Sequence, residues 1–254
     1  QGQDLTVKLT IPEGFTRFDI AKRMAEKFGS LEVLDGDAPR EPFASEADIL
    51  KLMDDTSLIN DISPKATSLE GYMYPTTYTF PRDAKAGDVI KAMVEQFRKF
   101  WKPEWTADAA AKGRTPNEIV TIASLIETET SVESERPTVA SVIYNRLSRG
   151  VPLGIDQTNV YIAKMQGRWD GVINKSDLAV DSPYNTRIHV GLPPGPISSV
   201  TESSIRAALD PAQTDFLYYV RNVDANDGSH WFYASAVEFE RGKAKYQKWL
   251  ASQR

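Results

Sequence analysis

Apolar and polar residues alternate over residues 5–11 (Leu-Thr-Val-Lys-Leu-Thr-Ile), the period-two pattern of a strand with one buried face. Pro12 and Gly14 end it. The period then becomes helical: Ile20, Met24 and Phe28 fall on one face, behind Thr16 as N-cap and Asp19 as its capping-box partner. The same succession returns later in the chain. Leu9 to Phe28 aligns without gaps to Tyr78 to Phe97, with seven identical positions that include Pro12/Pro81, Met24/Met93 and Phe28/Phe97. Chance and shared helix chemistry can produce such a match. A duplication would give two strand–turn–helix modules, suited to docking a polymer.

Between the two copies, residues 35–48 are polar and loop-like, and Ala44 to Asp54 reads as a short helix. Phe97, Phe100 and Trp101 extend the second amphipathic helix until Pro103 stops it. Residues 116–129 form the best-started helix, with Pro116 at N1 and Glu118 at N3 behind Thr115. Another helix is predicted at 135–148, with Val139, Val142, Ile143 and Leu147 inward. Residues 181–200 are too rich in Pro and Gly for a regular element, yet their Ile, Val, Leu and Tyr predict an ordered loop. A short helix near 201–209 ends at Pro211. Phe216–Val220 and Ser229–Tyr233 read as two strands around the turn at 226–229, and a helix closes the chain over 235–250. The fold class is α+β.

Composition narrows the chemistry. The chain has 254 residues, 41% hydrophobic and 26% charged, enough for one large domain or two small ones. A net charge of −5 provides no general field for a polyanion, which argues against nucleic acid without excluding a local basic groove. With no cysteine, disulfides, thiolate metal sites and a cysteine nucleophile are ruled out, and two histidines make a His-rich metal site improbable. No stretch reaches the roughly 20 apolar residues that span a bilayer. No signal peptide is recognisable; the chain starts at Gln1, so an anchor upstream would lie outside it.

No serine triad, P-loop, GxGxxG or zinc motif is present, leaving carboxylate acid–base chemistry or none. On the 116–129 helix, Ile119, Ile122, Ala123 and Ile126 form one stripe, and Glu127 and Glu129 flank its centre at about 80° on either side. Periodicity does not choose between them, and both can be ordinary solvated glutamates. Glu127 shares its side with Val120, so its neighbourhood is drier. Glu70 lies among Tyr72, Tyr74 and Tyr78, either near a sugar site or on a strand edge with core tyrosines. Asp156 can be an N-cap for the helix holding Val160 and Tyr161, or part of a site. His189 and His230 read more readily as structural than catalytic; Trp169 and Trp231 can be core residues or sugar platforms.

Five segments together resemble the YceG-like family of endolytic murein transglycosylases: Leu69-Glu-Gly-Tyr-Met-Tyr-Pro75, Ala123-Ser-Leu-Ile-Glu-Thr-Glu-Thr130, Val142-Ile-Tyr-Asn-Arg-Leu147, Ser182-Pro-Tyr-Asn-Thr186 and Gly191-Leu-Pro-Pro-Gly-Pro-Ile197. Their order and spacing match along essentially the whole chain. The resemblance implies a LysM-like subdomain over 1–66 and a catalytic α+β domain over 67–254. It implies Glu127, first glutamate of the Glu-x-Glu-Thr motif, as the catalytic group; the candidates for the substrate shell around it are Glu70, Tyr72, Asp156, Thr158, Tyr184 and Asn185. No metal and no cofactor are implied. The implied partner is the peptidoglycan glycan strand, with synthases of the elongation machinery beside it. The implied location is the periplasmic face of the inner membrane, held by a single-pass anchor upstream. The chain departs from the family at Leu153-Gly-Ile-Asp-Gln-Thr158, where Leu-Gln-Ser-Asp-Pro-Thr is common, and at Pro75-Thr-Thr-Tyr78, where Pro-Asp-Thr-Tyr is common. The implied reaction cleaves the MurNAc-β-1,4-GlcNAc bond without water, leaving a 1,6-anhydroMurNAc end, through one glutamate acting as acid and then base. A two-carboxylate hydrolase or a non-catalytic wall-binding scaffold are the alternatives.

Overall fold

Strand β1 (Thr6–Thr10) buries Val7 and Leu9 and exposes the residues between them, as its alternation requires. Its partner is β2 (Thr77–Pro81), antiparallel, with Val7 opposite Phe80 and Leu9 opposite Tyr78. The two copies of the sequence repeat therefore share one two-stranded sheet. Each strand is followed by its helix, α1 (Arg17–Gly29) after β1 and α3 (Ala86–Phe100) after β2. The repeated positions are equivalent in packing, since Met24, Phe28, Met93 and Phe97 are all buried. Between the copies, α2 (Glu46–Met53) packs against α1. This structure, a computed structural model, describes residues 6–31 and 41–253. The first residue of the expected strand and residues 35–40 of the expected loop lie outside the described residues.

The expected boundary at 66/67 falls between β1 and β2, so it divides one sheet. Side chains from both sides of it also share one continuous apolar core, from Val7 and Met24 to Ile122 and Ile205. A cut there would expose that shared face.

Pro103 ends α3 and opens α4 (Pro103–Ala111), a helix the periodicity did not announce. Proline at N1 costs nothing there, because the first-turn N–H it lacks has no helical acceptor. Helix α5 (Pro116–Glu129) follows with the expected capping box. The Thr115 amide donates to Glu118 Oε2 at 2.8 Å, and the Glu118 amide donates to Thr115 Oγ1 at 3.2 Å. Such a cap is worth about 1 kcal/mol. Every residue from Ile119 to Glu127 is buried, including Thr121 and Ser124. α5 is thus a central helix with no solvated face over those two turns. Its small hydroxyls satisfy themselves on their own helix, Thr121 donating to Asn117 O and Ser124 to Thr121 O.

Around α5 stand α6 (Arg136–Ser148), α7 (Asp156–Met165) and α9 (Glu202–Leu209), with the four-residue α8 (Lys175–Leu178) beside α7. The antiparallel hairpin of β3 (Tyr218–Arg221) and β4 (His230–Tyr233) is backed on one face by α10 (Ala236–Ser252). Residues 181–200 are ordered without regular structure. Their second half is pinned to α5, the Ile197 amide donating to Ser124 Oγ and Ser198 Oγ donating to Ser124 O. Gly71 makes that approach possible. It holds a φ of +85°, and a Cβ there would lie 2.6 Å from Pro196 Cβ and 2.8 Å from Val120 Cγ1. No described helix is long and apolar enough to cross a membrane.

Candidate active site

The two glutamates that periodicity could not separate have opposite surroundings. Glu127 points into the packing between α5, α6 and α9. Its side chain is 1% exposed. Arg136 Nη2 donates to Oε1 at 2.9 Å, while the Thr201 amide, Thr201 Oγ1 and Ser204 Oγ donate to Oε2 at 2.9, 2.8 and 2.6 Å. Thr201 is the N-cap of α9, so the carboxylate sits where that helix presents its positive end. Four donors saturate Glu127, and α9 shields it from any glycosidic oxygen. The drier neighbourhood read from Val120 is real, but its consequence is structural. Geometry speaks against Glu127 as the group that touches substrate.

Glu129, the last residue of α5, is only partly buried and faces the β3–β4 hairpin. Tyr219 donates its hydroxyl to Glu129 Oε2 at 2.5 Å. The other oxygen has no hydrogen-bond partner among the described residues. Burial pushes the Glu129 pKa up; the Tyr219 hydrogen bond pulls it down, Asp156 raises it and His230 lowers it, with a net rise. A carboxyl group that keeps its proton more readily than usual, with one oxygen held and the other free, is equipped as a general acid.

The elements around Glu129 are fastened by residues of the recognised segments. Asn145 Nδ2 donates to Thr214 O and Phe216 O, both at 2.9 Å, and Arg146 Nε donates to Leu217 O at 2.6 Å. This pair holds the chain entering β3. Arg146 Nη1 also donates to Pro152 O and Leu153 O, fixing the approach to α7. Glu135 ties down the other strand, accepting from the His230 amide at 2.7 Å and contacting His230 Nδ1 at 2.8 Å. His230 is structural here.

Asp156 is the first residue of α7, with Ile155 as the N-cap, so it does not cap that helix as expected. It is 53% exposed and ion-paired with Arg187. Thr158 and Asn185 were expected to touch substrate, but both are fully buried and act behind Asp156. The Ile155 amide donates to Thr186 Oγ1 at 3.0 Å, Thr158 Oγ1 lies 3.1 Å from Thr186 Oγ1, and Asn185 Nδ2 donates to Val180 O and Leu178 O. The Thr186 bonds lace the 181–200 loop to the start of α7, and the Asn185 bonds tie it to the end of α8. Gly154, a departure from the resembled pattern, holds a φ of +66° while its amide donates to Thr186 O. Glycine suits that left-handed turn.

Two other expected contacts lie in the core. Tyr72 is fully buried, donating to Asn117 Oδ1 at 2.9 Å and accepting from the Ser63 hydroxyl at 2.6 Å, so no glycan reaches it. Glu70 is 1% exposed; its Oε2 accepts from the Arg17 amide at 2.8 Å, and the buried Tyr161 hydroxyl also favours its carboxylate. Burial therefore removes Glu70 from the substrate shell. Tyr184 is partly exposed and packs its ring on Tyr161, in the Glu70 neighbourhood rather than against Glu129.

Burial lifts the Glu70 pKa from 4.5 to about 7, against the opposing pull of the Arg17 amide and charge. Because the folded pKa is the higher one, the stabilising effect is complete below the unfolded pKa and is lost as pH rises through the folded value. The loss amounts to about 3 kcal/mol. Glu70→Gln keeps the acceptor for Arg17 and cannot ionise. Urea unfolding should therefore show the variant gaining stability over the native chain between pH 5 and 8; parallel curves would contradict this.

A cavity of about 1190 Å³ lies between α4 and α9. Trp105, Lys112, Arg206 and Glu133 line it; Glu129 does not. Its floor includes Arg136 and Thr201, the outer partners of Glu127. Glu129 lies outside this cavity and keeps one carboxyl oxygen free of hydrogen-bond partners among the described residues.

Comparison with known proteins gives a consistent result. A family model described as the YceG-like family matches residues 1–245. A protein of Bacillus subtilis (strain 168) named endolytic murein transglycosylase is 34% identical over 244 residues, 94% of this chain. A protein of the same name from Streptococcus pneumoniae serotype 2 is 31% identical over 257 residues, again 94% of this chain. The chain spans 65% and 44% of the length of these two relatives. The crystal structure of a YceG-like protein from Listeria monocytogenes superposes with a TM-score of 0.74 at 33% identity, covering 92% of this chain and 75% of that one.

Proposed function

Because this chain belongs to the YceG-like family, we propose that it is an endolytic murein transglycosylase whose acid–base group is Glu129. The observation that carries the assignment is the Glu129 carboxyl itself: partly buried, raised in pKa, held at one oxygen by Tyr219 and unpartnered at the other. Glu127 is spent on Arg136 and α9.

In this reading, protonated Glu129 donates to the glycosidic oxygen of the MurNAc-β-1,4-GlcNAc bond as the bond from C1 to that oxygen breaks. The muramyl C6 oxygen bonds to C1, and its proton passes to the Glu129 carboxylate. The acid is restored, the product ends in 1,6-anhydroMurNAc, and no water is consumed. The nucleophile belongs to the substrate, so one carboxyl group suffices where a hydrolase needs two. Asp156 is the anion available to the oxocarbenium-like transition state, and its charge also favours the protonated form of Glu129. A murein substrate places the catalytic domain on the periplasmic or wall-facing side of the membrane.

Asp156 also keeps a second reading in play, a hydrolase in which it activates water for Glu129. Digestion of purified sacculi in oxygen-18 water separates the two by mass spectrometry. Anhydro ends free of the label are the expected products. Labelled reducing ends would establish the hydrolase, and intact strands would leave a binding scaffold.

A further inference from the structure

We propose that Tyr219 is a positioning residue that fixes the acid of this reaction, holding Glu129 by Oε2 so that Oε1 carries the transferred proton toward the substrate. The inference rests on Glu129 as the acid–base group. A carboxylic acid held only by its backbone attachment spins about its last torsion and offers its proton in many directions. A hydroxyl donating to one oxygen removes that freedom and leaves the proton on the other.

The geometry around Tyr219 is built for holding. Its hydroxyl meets Glu129 Oε2 at 2.5 Å. Its ring packs edge-on against His230 at 5.5 Å between centroids and lies 5.8 Å from Phe232, its cross-strand partner. Tyr219, Phe232 and His230 pack together on one face of the hairpin, the face from which Tyr219 reaches the end of α5. Both strands of that hairpin are anchored independently of Glu129. Arg146 and Asn145 hold the entry to β3, and Glu135 holds β4 through His230. Tyr219 thus reaches the acid from a braced platform, which is what a positioning group needs.

The charged and titratable groups facing Glu129 are Tyr219 from β3, His230 from β4 and Asp156 from α7, the last paired with Arg187. The Tyr219 hydrogen bond favours the ionised carboxylate and opposes burial and Asp156. It also serves the second half of the reaction. Once Glu129 has given its proton away, the bond stabilises the carboxylate that must wait for the C6 proton.

Tyr219→Phe keeps the ring and removes the donor. Since a hydrogen bond to a charged group is worth about one to two pKa units, the alkaline limb of kcat should move up by about one unit. At the native optimum kcat should fall roughly tenfold or more with KM little changed, because the proton is no longer aimed. A thermal melt of Tyr219→Phe alongside the native protein separates positioning from folding; the melting temperatures are expected to agree within a few degrees. A variant with native kcat and an unmoved alkaline limb would overturn the role of Tyr219. Glu129→Gln run in parallel keeps the two assignments distinct. If that variant is inactive while Tyr219→Phe behaves as native, only the positioning role fails; if Glu129→Gln is active, the acid assignment fails first.

Discussion

Glu129→Gln lowers release of anhydro-muropeptides from sacculi by at least about a hundredfold and does not lower the thermal melt. The size follows from what a positioned general acid supplies, roughly 10²- to 10⁴-fold. Stability is spared because Glu129 ends α5 with the Tyr219 hydroxyl as its one hydrogen-bond partner among the described side chains, and burial penalises the charge that Gln lacks. A side-chain amide accepts that hydroxyl equally well. The pH profile of the native chain should carry the same signature. Activity needs the protonated acid and is lost on the alkaline side as pH rises through the Glu129 pKa; because that pKa lies above the ordinary carboxylate range, the loss comes at higher pH than for a solvated glutamate. Normal cleavage by Glu129→Gln would refute the assignment.

Substituting Glu127 does the reverse. Glu127→Ala leaves the Arg136 guanidinium, 6% exposed, with only the Glu13 carboxylate at 3.7 Å as countercharge, and leaves the Thr201 amide, Thr201 Oγ1 and Ser204 Oγ without their acceptor. Breaking a buried ion pair from one side costs about 3–5 kcal/mol. For a chain of this size that lowers the melting temperature by about 6–20 °C. Arg136→Ala should cost a similar amount, because the carboxylate is then buried without its countercharge. Glu127→Gln is informative as well, since its amide N–H₂ must face one of the four donors. Calorimetry of the three variants, with activity corrected for the folded fraction, distinguishes a brace from a catalyst. A Glu127→Gln protein with native melting behaviour and no activity would return catalysis to Glu127.

Much of the local structure was legible in the chain. The Thr16/Asp19 and Thr115/Glu118 capping boxes occur as predicted, because capping depends on residues three apart in sequence. α5 spans 116–129 as read, and the hairpin appears around the turn at 226–229. The repeat was visible, although nothing in it revealed that its two strands pair with each other. α4 escaped notice because Pro103 reads as a stop and serves equally well as a start.

The candidate site was less legible. Glu70, Tyr72, Thr158 and Asn185 were expected near substrate and are buried, occupied with the Arg17 amide, Ser63, Thr186 and the 178–180 carbonyls. Tyr219 and Arg187 were not foreseen at all. Tyr219 sits in an ordinary strand pattern, and only the fold brings it to a glutamate 90 positions earlier.

Sequence by itself determined that α5 exists, where it starts and ends, that two glutamates flank its stripe, and that no cysteine, serine-triad or zinc motif accompanies them. Those features depend on spacing within a few turns of one helix. Tertiary structure decided between the glutamates, because the choice turns on what packs against each side of α5. α9 and Arg136 close over Glu127, the hairpin stands beside Glu129, and neither neighbour is within reach of a helical wheel.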